Sequence, residues 1–168
     1  IVEVTSWSLE VNFELIDLEI EALQRTRGYW LHQINALLSD IGEAQVSFED
    51  LCTYMAEIRT HFNMNRINPI TSAEILSKPD CVLRLESLQA LIMPKVNPSD
   101  NQMARANMAT LLLNVVSEKL GQTDVISEDG AIVSQAITYC DELITDDVAD
   151  NDEQARRIVE LINRGEVL

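Results

Sequence analysis

Residues 9–41 read LEVNFELIDLEIEALQRTRGYWLHQINALLSDI, and their spacing decides the fold class. Leu9, Phe13, Ile16, Ile20, Leu23, Trp30, Ile34, Leu37 and Ile41 follow one another in steps of four and three, broken only by Arg27. That repeat asks for a partner helix along its whole length. A helix from Ser6 to Ile41 would be about 50 Å long, too long for a domain of this size. The segment Gln24-Arg25-Thr26-Arg27-Gly28 marks the expected kink or break, since basic residues followed by glycine suit a helix end. Trp7, Leu9, Val11, Phe13 and Leu15 also alternate as a strand would, but the longer helical series continues past them.

Further helices follow outward from this stretch. Phe48, Leu51, Cys52, Met55, Ile58 and Phe62 share a helical face, and Val82, Leu85, Leu88 and Ile92 form another between about Pro79 and Met93. A helix from about Asp100 to Leu120 carries Met103, Leu111, Leu112, Val115 and Val116. The next, from about Glu128 to Ile144, carries Ile132, Val133, Ile137, Cys140 and Leu143, and a last one runs from about Asp152 to Arg164. Starts are marked by Ser47, Thr71, Ser99 and Asn151, each with an acid or amide three residues on. Stops are marked by Gly42, Gly121 and Gly165 and by four mid-chain prolines. The expected fold is all-α, a single-domain bundle over 1–168 of six or seven helices, with the N-terminal helix the longest.

Composition narrows the function classes. The 168 residues carry 28 acids and 12 bases, a formal charge of −16, with 46% hydrophobic residues and a mean hydropathy of −0.01. Residues 1–60 sum to −8, residues 61–120 to +1 and residues 121–168 to −9. Such a field disfavours direct binding to nucleic acid or anionic lipid and attracts a basic partner. No apolar run approaches the roughly 18 residues of a membrane span. Cys52, Cys81 and Cys140 form no CxxC pair, and an odd, scattered set reads as small buried hydrophobes in a reducing intracellular compartment. A chain starting at Ile1 reads as a processed product or a fragment.

Two acidic clusters stand out. Glu10, Glu14, Asp17 and Glu21 line a stripe beside the apolar seam. A metal-dependent all-α hydrolase would use such a stripe, but it also needs a second acidic motif and phosphate-binding cations. Asp141, Glu142, Asp146, Asp147, Asp150, Asp152 and Glu153 form the denser group. Asp146-Asp-Val-Ala-Asp150 matches a terpene-synthase motif in letters only, and EF-hand spacing fails. Residues 48–77 lack the basic second helix of a DNA-reading helix-turn-helix. No glycine-rich phosphate loop, HExxH motif or nucleophile triad is present. The reading is therefore a non-enzymatic interaction, regulatory or assembly module that takes no cofactor. It would dock another protein through Glu10, Glu14, Asp17, Glu21, Asp146, Asp147 and Asp150, or through a helix contact at Leu9, Phe13, Ile16 and Ile20. The alternatives are the metal-dependent hydrolase and a structural homo-oligomer held by the seam.

Overall fold

A computed structural model of the chain describes residues 24–62, 80–166 and 168. Among them are six α-helices: α1 (Arg27–Ser39), α2 (Phe48–Phe62), α3 (Cys81–Ile92), α4 (Asp100–Val116), α5 (Val133–Thr145) and α6 (Ala149–Asn163). The described residues contain no strand, only an isolated antiparallel bridge between Val125 and Ile132. No described helix is long and apolar enough to cross a membrane.

α4 organises the rest. Every residue from Ala106 to Val116 is buried, so from Ala106 onward this helix has no wet face and must be walled on all sides. On one side α1, α2 and α3 close a cluster around Trp30, Ile34, Leu51, Met55, Leu85 and Leu88, which meets Ala109 and Leu113 of α4. On the other, Ile137, Cys140, Ile144, Ala155, Val159 and Ile162 of α5 and α6 pack against Met108, Leu111, Leu112 and Val115. The start of α4 is fixed by Ser99, whose side chain accepts from Gln102 N–H (3.1 Å), while Gln102 accepts from Ser99 N–H (3.0 Å). Its end is marked by Glu118 in the left-handed conformation (φ 62°), a role the sequence pattern assigns to Gly121.

Polar residues inside α4 must be paired, because an unpartnered buried group costs about 1–3 kcal/mol. Asn114 meets that demand completely. Its Oδ1 accepts from Trp30 Nε1 (3.1 Å) and from Arg25 N–H (3.0 Å). Its Nδ2 donates to the Arg25 carbonyl (2.9 Å) and to Asn163 Oδ1 (3.2 Å). Asn163 in turn donates to the Asn107 carbonyl (3.0 Å), and Asn107 to the Arg156 carbonyl (3.4 Å). Asp100 accepts from Arg156 Nε at 2.8 Å. Asp100, Asn107 and Asn114 thus repeat every seven residues along α4 and meet α6 at Arg156 and Asn163, one turn-pair apart. Paired polar groups at this spacing fix the register of two helices, which apolar packing alone leaves loosely set.

The structure corrects several sequence expectations. α1 begins at Arg27, within the segment where the sequence places a kink or break: residues 24–26 are not helical and Thr26 caps the helix, its hydroxyl accepting from Tyr29 N–H. Residues 1–23, with Leu9, Phe13, Ile16 and Ile20, lie outside the described residues, as does the turn near Thr71. Trp30 and Ile34 are buried as the repeat requires, but Ile41 is 63% exposed because α1 ends at Ser39. Asp40 there is left-handed, and so is Gly42 (φ +78°), where a Cβ would be strained and would press on His32 Cε1 at 3.0 Å. Val82 is 45% exposed, off the face that buries Leu85 and Leu88. α6 starts at Ala149, before Asn151, so the cap read at Asn151 is not used.

Cys52 and Cys81 are not separate apolar fillers. They form a disulfide between α2 and α3, with Cα atoms 5.7 Å apart, while Cys140 is free and buried as expected. Disulfides persist in oxidising surroundings, so the pair removes the ground for placing the chain in a reducing compartment. Closing a loop of 29 residues removes unfolded-chain entropy equivalent to about 3–4 kcal/mol.

Asn114→Ala strands the Trp30 indole N–H and both Arg25 backbone groups together. The variant is expected to lose about 3–5 kcal/mol of stability in urea unfolding, whereas loss under 1 kcal/mol would show that the network adds little.

Candidate functional site

The described half of the acidic reading centres on the α5–α6 turn. α5 ends at Thr145, and Asp146 closes it: Oδ1 accepts from Val148 N–H (2.9 Å) and Oδ2 from Asn151 Nδ2. Asp147 follows in the left-handed conformation (φ 60°), which short polar side chains tolerate. Asp150 and Asp152 occupy the first turn of α6, where the positive end of the helix dipole favours carboxylates.

These acids do not act as one group. Asp152 is buried and accepts from Asn101 Nδ2 (3.0 Å), which also donates to the Ile144 carbonyl (3.2 Å). It ties the start of α4 to the turn. Glu142, Asp146, Asp147, Asp150 and Glu153 remain exposed, and no described Lys or Arg forms an ion pair with any of them. Arg156 and Arg164 are taken by Asp100, Glu160 and Glu166.

Beside the acids runs a shallow groove lined by Ser134, Gln135, Thr138, Tyr139 and Glu142, successive turns of the outer face of α5. Tyr139 is half-exposed and its hydroxyl accepts from Gln154 Nε2 of α6 (3.1 Å), which holds the ring in place. Val148 is equally exposed in the turn itself. Glu142 belongs both to the groove and to the acidic group, so the two are continuous. An aromatic ring and an aliphatic side chain rimmed by carboxylates without a described cation partner can offer a contact centre and long-range attraction together. Sequence reading missed Tyr139, although its four-residue spacing from Gln135 on a polar helix face was available.

Asp141 is the exception within the cluster. It lies four residues after Ile137 and three before Ile144, on the apolar stripe of α5, and is only 5% exposed. Its Oδ1 has no hydrogen-bond partner. Burial, then the charge of Glu142, push its carboxyl up to about 7. Desolvation likewise pushes the Cys140 thiol up to about 12, with Asp141 adding to it. A thiol held that far up is inert, and neither group meets solvent to take a substrate.

Among the described residues no three His, Cys, Asp or Glu side chains come together as a metal site. Glu10, Glu14, Asp17 and Glu21 lie outside the described residues, so only Asp146, Asp147 and Asp150 of the expected docking acids are placed, all in one turn. Compared with protein-family models, curated proteins and solved structures, the chain matches none.

Asp141 sets a pH dependence whose sign follows from its raised value. Below about pH 3 the carboxyl is mostly neutral in both folded and unfolded chains. Between about 4 and 7 the unfolded chain ionises first, so stability from this group falls as pH rises. Asp141→Asn removes the effect. Its melting temperature is expected to exceed that of the native protein at pH 8, with the gap closing as pH falls toward 4. A gap that stays constant across that range would exclude a protonated Asp141.

Proposed function

We propose that the protein is a non-enzymatic, protein-binding module of a regulatory or assembly kind, and that the α5–α6 turn docks a basic partner. One observation carries the reading. Glu142, Asp147, Asp150 and Glu153 stand exposed and without described cation partners around Tyr139 and Val148. Carboxylates without a described cation partner, on a chain of charge −16, keep their attraction for an incoming cationic surface, whereas paired ones have already spent it on a neighbour. The half-exposed ring and valine supply the apolar centre that charge alone does not, and water around them is displaced on contact.

The stripe Glu10, Glu14, Asp17 and Glu21 would extend the acidic surface, and Leu9, Phe13, Ile16 and Ile20 would add a helix contact in a bundle with a long N-terminal helix. The hydrolase reading and the homo-oligomer rest on those same residues. No described observation favours either one.

Asp147→Lys, Asp150→Lys and Glu153→Lys together test the reading, since none of the three makes a described bond to another helix. On an array of lysine- and arginine-rich peptides, the native protein is expected to bind a subset at about 50 mM salt. The triple variant should lose at least tenfold in affinity, and 300 mM salt should weaken native binding similarly. Equal binding by native and variant proteins, with unchanged melting temperatures, would reject the acidic turn as the docking site.

A further inference from the structure

The two apolar clusters flanking α4 are secured differently. The α4–α5–α6 side is tied by Asn107, Asn114, Asn163, Asn101 and Asp152, in addition to its packing. On the other side α1 is tied to α4 through Trp30 and Asn114, and α3 to α1 through Gln89 Nε2, which donates to Asn35 Oδ1 (2.6 Å). α2 has no such tie. Among the described residues, none of its side chains hydrogen-bonds another helix: Thr53 donates to the Glu49 carbonyl of its own helix. Leu51, Met55 and Ile58 hold it by apolar contact, and it touches α3 only slightly. Its one covalent link to the rest of the fold, apart from the chain itself, is Cys52–Cys81.

Both cysteines are half-buried rather than sealed in the core. Cys81 is the first residue of α3, after the cap Asp80. A helix N-terminus favours the thiolate and makes Cys81 the better leaving group.

We infer that Cys52–Cys81 is a redox-operated latch on α2, whose reduction by a dithiol releases α2 while α4, α5 and α6 stay folded. A thiolate of the dithiol attacks the Cys52 sulfur, the S–S bond breaks, and Cys81 leaves as thiolate. The second thiolate of the dithiol then attacks its own sulfur in the mixed disulfide and releases Cys52. Two electrons pass from the dithiol, which leaves as a cyclic disulfide, and two protons end on the cysteines. Opening uncovers Leu51 and Met55 and the cluster around Trp30, a surface the oxidised protein keeps from partners. Only Ile58 among the buried α2 residues reaches the cluster on the far side.

Amide hydrogen exchange separates the two halves, because Leu51 to Ile58 lie in α2 and Ala155 to Ile162 in α6. The oxidised protein is compared with protein reduced by dithiothreitol and capped with iodoacetamide, and with a Cys52→Ser/Cys81→Ser variant without reductant. Exchange of the Leu51 to Ile58 amides is expected to accelerate at least tenfold in the reduced protein and in the variant, with exchange of the Ala155 to Ile162 amides unchanged. Unchanged exchange in α2 would overturn the latch. So would simultaneous acceleration in α6, because the disulfide would then secure the whole fold.

Discussion

A helix with no wet face governs this structure. From Ala106 to Val116 not one side chain of α4 reaches solvent, so the helix is stable only when neighbours cover it all round. Five shorter helices do so, and none of them has to be apolar on more than one side. α5 and α6 show the consequence, with one buried stripe each and Glu142, Asp150 and Glu153 exposed. The same enclosure imposes a polar constraint. Asn107, Thr110 and Asn114 cannot turn to water, so each must find a partner inside. Thr110 donates to the Ala106 carbonyl one turn back (3.1 Å), and the two asparagines reach α6 and the entry to α1. Packing drives the assembly of this core, and the asparagines choose its register.

Charge is arranged around that core by necessity. Only Asp141 and Asp152 among the described acids are buried, and they illustrate the two outcomes open to a carboxyl in a dry place. Asp152 keeps a donor in Asn101 and serves as a joint between α4 and the α5–α6 turn. Asp141 lacks a partner for Oδ1 and holds its proton instead. The remaining carboxylates crowd the surface and repel one another, which costs stability but leaves a field that a cationic surface neutralises. Structure and proposed docking therefore meet at one turn, where neighbouring aspartates cap a helix, hold a joint and face outward.

Much of the helical order was legible from local chemistry. Ser47 and Ser99 with their following acid or amide place the starts of α2 and α4 correctly, because a cap is a contact within four residues. Trp30 and Ile34 were legible as core, whereas Ile41 was not excluded, since a repeat carries no signal for the left-handed residue that ends the helix before it. Asn151 matched a start pattern that tertiary packing passed over in favour of Val148. The Cys52–Cys81 bridge was hidden, because a Cα separation of 5.7 Å is a property of the packed helices and not of their spacing in sequence. In the acidic cluster, composition showed seven like residues. Helical phase would have set Asp141 apart, since it shares the stripe of Ile137 and Ile144.

Amide hydrogen exchange on the oxidised native protein tests the central role of α4 most directly. If the other helices exist to enclose it, the amides of Met108 to Val115 exchange only through global unfolding. They should then be the slowest in the chain, all with one opening free energy equal to that from urea unfolding. Exchange of those amides at the rate of α1 or α6, with opening energies well below the global value, would contradict the account.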